Sequence, residues 1–107
     1  MNRPKVHGLF RVDGANIWCQ IQIGFTEAAL GAHISVPALE SSTSLQIPAG
    51  TQTGSIFRIR GKGLPLPHGS GRGDQLVRVV VLTPTNLSDR ERRLLKEFRE
   101  QEAAGTT

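Results

Sequence analysis

Glycine and proline divide this sequence into short runs, and several of these runs carry apolar residues at every second position. The clearest run follows Asp13-Gly14 and covers residues 16–23. Alternation is typical of a strand with one face on a core, and Asp-Gly readily adopts the positive φ angles of a tight turn. Residues 9–12 and 16–23 are therefore predicted to form a β-hairpin, with Trp18 at a sheet edge. The core-facing residues of the second arm are Ile17, Cys19, Ile21 and Ile23.

The rest of the chain continues this strand pattern and ends in a helix. Residues 34–38, 43–47 and 55–60 alternate, and residues 76–82 form a β-branched run typical of a central strand. Pro37 marks the first of these strands as an edge strand, because proline cannot donate to a ladder. Residues 26–31 favour a short helix. Ser88 and Glu91 have capping-box spacing, and an apolar stripe follows them at Leu94, Leu95 and Phe98.

These elements predict the fold class and the domain organisation. We expect a mainly β fold: a small antiparallel β-sandwich with a short internal helix and a C-terminal α-helix. A chain of 107 residues fits a single domain, here 1–107, with a flank at 1–7 and a terminal helix at 88–104.

Cysteine and histidine content limits the covalent and metal chemistry. Cys19 is the single cysteine, so no intrachain disulfide forms, and we expect it to be a small buried apolar residue. His7, His33 and His68 are too scattered for a structural zinc site, so no metal is expected. The start of the chain lacks an apolar stretch of signal-peptide length, and no run is long enough to span a bilayer; a cytoplasmic location without membrane contact is the expectation.

The positive charge of the chain is concentrated in one region. Residues 89–102 hold five basic and five acidic side chains and are neutral, whereas a basic cluster occupies residues 58–78. Such a cluster can meet nucleic acid, an acidic peptide tail or only solvent. Nucleic-acid binding usually adds stacking aromatic residues, but tyrosine is absent and only Phe57 lies among these cations. The five cations are Arg58, Arg60, Lys62, Arg72 and Arg78.

Motifs for catalysis fail on their spacing. The glycines of residues 69–73 lack the G-x-G-x-x-G pattern, and in residues 61–63 a glycine stands where a P-loop needs Ser or Thr after the lysine. No pattern joins Cys19 to a base, and no short-range arrangement pairs the acidic residues outside the helix. No enzymatic activity is expected.

Six ordered motifs resemble one known family. They are FTEAALGA at 25–32, ISVP at 34–37, IPAGTQTG at 47–54, FRIRGKG at 57–63, GDQLV at 73–77 and TP at 83–84. The chain closely resembles the C-terminal substrate-binding region of the DnaJ (heat-shock-forty type) co-chaperones, and within it the second of two related C-terminal β-domains.

The chain also departs from the family pattern. Residues 40–42 replace an acidic-Gly turn, so the geometry of that hairpin is left open. The J-domain with its His-Pro-Asp tripeptide, the Gly/Phe linker and the zinc-binding cysteine repeats do not occur here. The expectation is a fragment of a longer protein that holds no zinc or other cofactor and does not by itself stimulate a DnaK-type ATPase.

The resemblance implies a role in holding unfolded client polypeptide for a DnaK-type chaperone. Clients would add as a strand beside Ile34, Val36 and Ala38, with Phe57 and Leu76 as walls of an apolar groove. In the family, dimerisation lies just beyond this domain, so the implied homodimer belongs to the full-length protein, and this chain is expected to be a monomer or a weak dimer. Two alternatives stay open: a basic β-domain that binds nucleic acid, and a structural spacer without a ligand. The residues implied for contact with the acidic C-terminal tail of the DnaK-type partner are Arg58, Arg60 and Lys62.

Overall fold

A computed structural model describes residues 5–39 and 42–105, and it describes side chains from residue 11 onward. The predicted turn at 40–42 therefore lies largely outside the described residues. The first strand begins at Lys5, so residues 5–7 of the predicted flank are strand. In chain order the elements are β1 (Lys5–Asp13), β2 (Asn16–Gly24), α1 (Phe25–Leu30), β3 (Ala32–Pro37), β4 (Ser42–Ile47), β5 (Ile56–Ile59), β6 (Gln75–Leu82) and α2 (Asp89–Gly105).

Six strands form two sheets, which confirms the mainly β fold with one short and one C-terminal helix. One sheet has the order β1-β2-β6-β5, and the other consists of β3 and β4. Three of the strand pairs are antiparallel, but β2 and β6 run parallel, from Ile17 opposite Gln75 to Gly24 opposite Leu82. A parallel pair requires a long crossover, and here the chain passes through α1, β3, β4 and β5 before it returns.

The interior of the four-stranded sheet is formed by β2 and β6. The prediction of a central strand at 76–82 is confirmed, since β6 lies between β2 and β5. The prediction that Trp18 lies at a sheet edge is wrong, because β2 has β1 on one side and β6 on the other. Trp18 is half-buried on the outer face of this sheet, with the Arg11 guanidinium 5.4 Å from its ring centre.

The core lies between the two sheets and follows the alternation of the strands. In β2 every second residue is buried, as predicted from the sequence. Apolar side chains of β3 and β4 face these residues, and Ala28 of α1 closes one end. Two sheets packed face to face stabilise each other because each buries its apolar side. The core residues are Cys19, Ile21, Ile23, Ala28, Ile34, Val36, Leu45, Ile47, Val77 and Val79.

The glycine-rich segment at 61–73 folds back on the β1–β2 turn. The Gly63 N–H donates to the Gly73 carbonyl at 2.8 Å, and the Gly73 N–H donates to the Leu64 carbonyl at 2.8 Å. The Leu64 N–H donates to the Ala15 carbonyl, also at 2.8 Å. A Cβ atom at Gly63 or Gly73 would collide with the Ala15 backbone. Glycine is therefore required here by close backbone approach.

Helix α2 extends from the β-domain. Its capping box is formed as predicted: the Glu91 N–H donates to Ser88 Oγ at 3.1 Å, and the Ser88 N–H donates to Glu91 Oε1 at 2.7 Å. These bonds to Ser88 lower the pKa of Glu91. No residue of α2 is buried, and the rings of Phe98 and Phe25 are 6.1 Å apart. The apolar stripe of α2 is thus left largely open to solvent.

Candidate functional site: the edge of the two-stranded sheet

The predicted groove begins on β3, where the side chains of Ile34 and Val36 point into the core. Ile34 is 6% exposed and Val36 is 0% exposed. Ala38 is half-buried just beyond the end of the strand. In this conformation the side chains of Ile34 and Val36 cannot contact a ligand, because they pack against the four-stranded sheet. Any binding at this strand has to use its backbone edge.

The two predicted groove walls lie on opposite faces of the four-stranded sheet. Phe57 pairs with Val77 and packs from β5 against the core between the sheets. Leu76 pairs with Arg58 and Trp18, which places it on the outer face, where it is 8% exposed. The structure therefore does not bring the five predicted groove residues together into one surface.

The β3–β4 sheet exposes strand edges that carry no full charge. It has two strands, so within the described chain each of them pairs on one side only. Neither strand contains Lys, Arg, Asp or Glu, the residues with which edge strands usually discourage pairing with another chain. The outward-facing residues are exposed: His33, Ser35 and Pro37 on β3, and Ser42, Ser44 and Gln46 on β4. The unpaired edge of each strand, that of β3 included, is therefore open to strand addition.

Two exposed leucines flank β3, and the sequence analysis did not identify them. Leu30 is 81% exposed, the most exposed of the large apolar side chains in the described part, and Leu39 is 43% exposed. They lie two residues before and two residues after the strand. The signal that could have identified them is a large apolar residue at each end of a short strand without charge. They place exposed apolar surface just before and just after β3 in the chain.

The end of β3 is tied to the four-stranded sheet by Gln75 at the start of β6. Gln75 is 0% exposed, and its Nε2 donates to the Pro37 carbonyl at 2.9 Å and to Cys19 Sγ at 3.4 Å. Its Oε1 is buried and has no hydrogen-bond partner among the described residues. Burial raises the pKa of the Cys19 thiol, and the Gln75 hydrogen bond opposes this more weakly, so the thiol stays protonated and unreactive at neutral pH.

The basic cluster is divided over several places. Arg58 Nη1 lies 3.0 Å from Asp74 Oδ2, so this guanidinium already has a carboxylate partner. The Arg72 Nε–H donates to the Gly63 carbonyl at 2.9 Å and serves the glycine-rich segment. Arg60 and Lys62 are exposed just after β5, and Arg78 is exposed in the middle of β6. The predicted contact residues Arg58, Arg60 and Lys62 lie close together in sequence, but Arg58 is partly neutralised.

A cleft of about 780 Å³ separates α2 from the end of the β-domain. Apolar side chains from both sides line it, and α2 contributes Leu94 and Leu95. Leu94 is 53% exposed and Phe98 47% exposed. The lining from the β-domain includes Ile23, Phe25 and Leu82.

Among the described residues, no three His, Cys, Asp or Glu side chains come together in a way that could hold a metal ion. Within residues 5–39 and 42–105, no helix has the length and apolar character needed to cross a membrane.

These elements define a two-sheet β-domain with an open, uncharged strand edge and a projecting charged helix. The sequence profile described as the DnaJ C terminal domain matches residues 2–84. The chain belongs to this family, as its sequence motifs predicted.

Curated relatives named "Chaperone protein DnaJ" support the same assignment. The relative from Desulfitobacterium hafniense is 51% identical over 96 residues, which are 90% of this chain and 26% of the relative. The relative from Halalkalibacterium halodurans is 52% identical over 94 residues, or 88% of this chain and 25% of the relative. The chain thus spans about a quarter of the length of the curated relatives it matches.

Proposed function

We propose that this domain is the client-holding part of a DnaJ-type co-chaperone and that it takes unfolded polypeptide as an added strand on the free edge of β3. The observation that carries this proposal is the uncharged β3 edge between two exposed leucines, Leu30 and Leu39. The relatives named as chaperone proteins support a co-chaperone role. Delivery of the client to a DnaK-type chaperone is part of the proposal.

Strand addition suits a protein that must hold many different clients. Backbone hydrogen bonds are the same for every client sequence, and flanking apolar contacts require only that the client carry apolar side chains. A strand of six residues such as β3 is about 20 Å long, so it matches a client segment of about six residues. Neither of these interactions is catalytic, and the domain is proposed to work without enzymatic activity or a cofactor.

Replacing both leucines by serine is expected to weaken client binding. An exposed leucine that becomes half-buried against a client contributes about 1 kcal/mol, so the double variant Leu30→Ser/Leu39→Ser should bind about 30-fold more weakly. Both side chains are exposed, so the fold should be retained. The measurement is an NMR titration of backbone amides with an extended apolar peptide at low and at high salt, with shifts expected over residues 33–39.

The matched control is Leu66→Ser, which removes another exposed leucine, 40% exposed, far from β3 in sequence and on the glycine-rich segment. It should bind the peptide like the wild type. Equal affinity of the double variant and the wild type would reject the β3 edge as the client site. A nucleic-acid role would instead be favoured by binding of an oligonucleotide whose affinity falls steeply with salt, because phosphate contacts release counterions. No shifts at all would favour a structural spacer.

Contact with the acidic tail of a DnaK-type partner is proposed at Arg58, Arg60 and Lys62. Arg60 and Lys62 are exposed and would supply most of the attraction, since Arg58 already pairs with Asp74. A peptide ending in Glu-Glu-Val-Asp should shift the amides of residues 58–62, and 0.5 M salt should abolish these shifts, because it shortens the Debye length to about 4 Å. If the peptide shifts the same amides equally in an Arg60→Gln/Lys62→Gln variant and in the wild type, this contact is contradicted.

The open apolar stripe of α2 supports a further part of the proposal, that this domain helps the full-length protein to form a homodimer. Leu94 and Phe98 are about half exposed although they lie beside an apolar cleft. Large apolar side chains in this situation favour association with another surface. A cytoplasmic location is also part of the proposed function.

A further inference from the structure

Apolar packing alone does not fix how the β3–β4 sheet is placed on the four-stranded sheet. The hydrophobic effect is non-directional, so it favours contact between the two apolar faces but penalises a small slide only weakly. A hydrogen bond across the interface fixes position, because its energy falls steeply with distance and angle. A polar contact between the sheets therefore restricts the position of β3 more sharply than the hydrophobic effect does.

Gln75 makes the direct polar contact between the sheets. In the described part of the chain, its Nε2–H donates the one hydrogen bond, of 2.9 Å, that joins β3 or β4 to a strand of the other sheet. The acceptor is the carbonyl of Pro37, the last residue of β3. Proline has no N–H, so Pro37 can be held at its backbone only through this carbonyl.

The free-energy cost of burying Gln75 indicates that its hydrogen bond to the Pro37 carbonyl does more than stabilise the core. Within the described part of the chain, Gln75 is the buried polar residue among apolar neighbours, and its Oε1 lacks a partner there. A buried polar atom without a partner costs free energy that a leucine or methionine of similar size would not incur. A side chain chosen only to fill this space would be apolar.

We propose that Gln75 is a positioning residue that clamps the end of β3 and so keeps the free β3 edge in place for its ligand. This inference rests on the client-holding role proposed for that edge. When the clamp is absent, the end of β3 samples other positions, and an edge that is competent for only a fraction of the time binds more weakly in proportion to that fraction.

The test is the Gln75→Leu variant, with Gln75→Met as a second variant in case leucine packs poorly. Both variants remove the Nε2 donor of Gln75 together with its unpartnered Oε1 acceptor, so the midpoint of urea unfolding should change little. Hydrogen exchange of those β3 amides that donate to β4 should become about fivefold faster, as expected for loss of one net hydrogen bond. Affinity for an extended apolar peptide should fall in proportion to the fraction of molecules in which the end of β3 keeps its clamped position.

An exposed glutamine in the loop after β4 supplies the control. Gln52→Leu makes the same chemical change in a surface loop and should alter neither amide exchange in β3 nor peptide affinity. Unchanged exchange in β3 of both Gln75 variants would overturn the proposal. Faster exchange with undiminished peptide affinity would overturn the functional role of the clamp. If the wild type binds no peptide, the client-holding role fails, whereas the exchange data still decide whether Gln75 holds β3.

Discussion

Gly73→Ala is expected to destabilise the domain by about 3 kcal/mol, a large fraction of the stability of a domain of this size. The added Cβ would collide with the carbonyl group of Ala15, closer than real Cβ atoms approach backbone. Relief requires Ala15 to move, and its carbonyl accepts the hydrogen bond from the Leu64 N–H. Urea unfolding monitored by the fluorescence of Trp18, the single tryptophan, measures the loss.

Gly69→Ala separates this collision from the ordinary cost of replacing a glycine. Gly69 has a φ of +83° but open space around its Cβ position, so alanine there should cost only about 1 kcal/mol. The φ of Gly73 is not positive, so its requirement for glycine is entirely steric. A Gly73→Ala variant no less stable than Gly69→Ala would show that the segment does not pack on the β1–β2 turn in solution.

The strands could be predicted because their signals are local. The alternation of β2 follows from a strand with one buried face, and the Asp13-Gly14 turn follows from the φ of +64° that Gly14 adopts. The capping box of Ser88 and Glu91 also depends on neighbours only three residues apart. The periodicity of a strand does not show, however, which other strands pair with it. The parallel pairing of β2 with β6 and the interior position of Trp18 were therefore not predicted.

The candidate site was predicted less well for a related reason. Alternation identifies one face of β3, but the same pattern describes an apolar groove and a buried core face. Ile34 and Val36 lie on the core face, whereas the exposed leucines at 30 and 39 lie outside the alternating run. Gln75 was not identified at all, because polar residues at strand ends usually face solvent, and its partner Pro37 lies 38 residues away in sequence.

Gln75→Glu is expected to make the stability of the domain strongly dependent on pH. Glutamate has the size of glutamine, but its ionised form cannot donate to the Pro37 carbonyl and would be a buried charge without a partner. Burial raises the pKa of this carboxyl in the folded state above its value of about 4.3 in the unfolded chain. The protonated form can still donate its O–H to Pro37, so the variant should fold well near pH 4.

The sign of the effect follows from proton binding. Between the unfolded and the folded pKa the native state of Gln75→Glu binds more protons, so its free energy of unfolding falls as pH rises, by about 1.4 kcal/mol per pH unit. At pH 7 the loss relative to pH 4 should reach about 3–4 kcal/mol. Urea unfolding at several pH values, with Gln75→Leu as the reference that cannot titrate, measures this slope. If the two variants give parallel pH profiles, position 75 is exposed to solvent in the native state. Gln75 would then not clamp the end of β3.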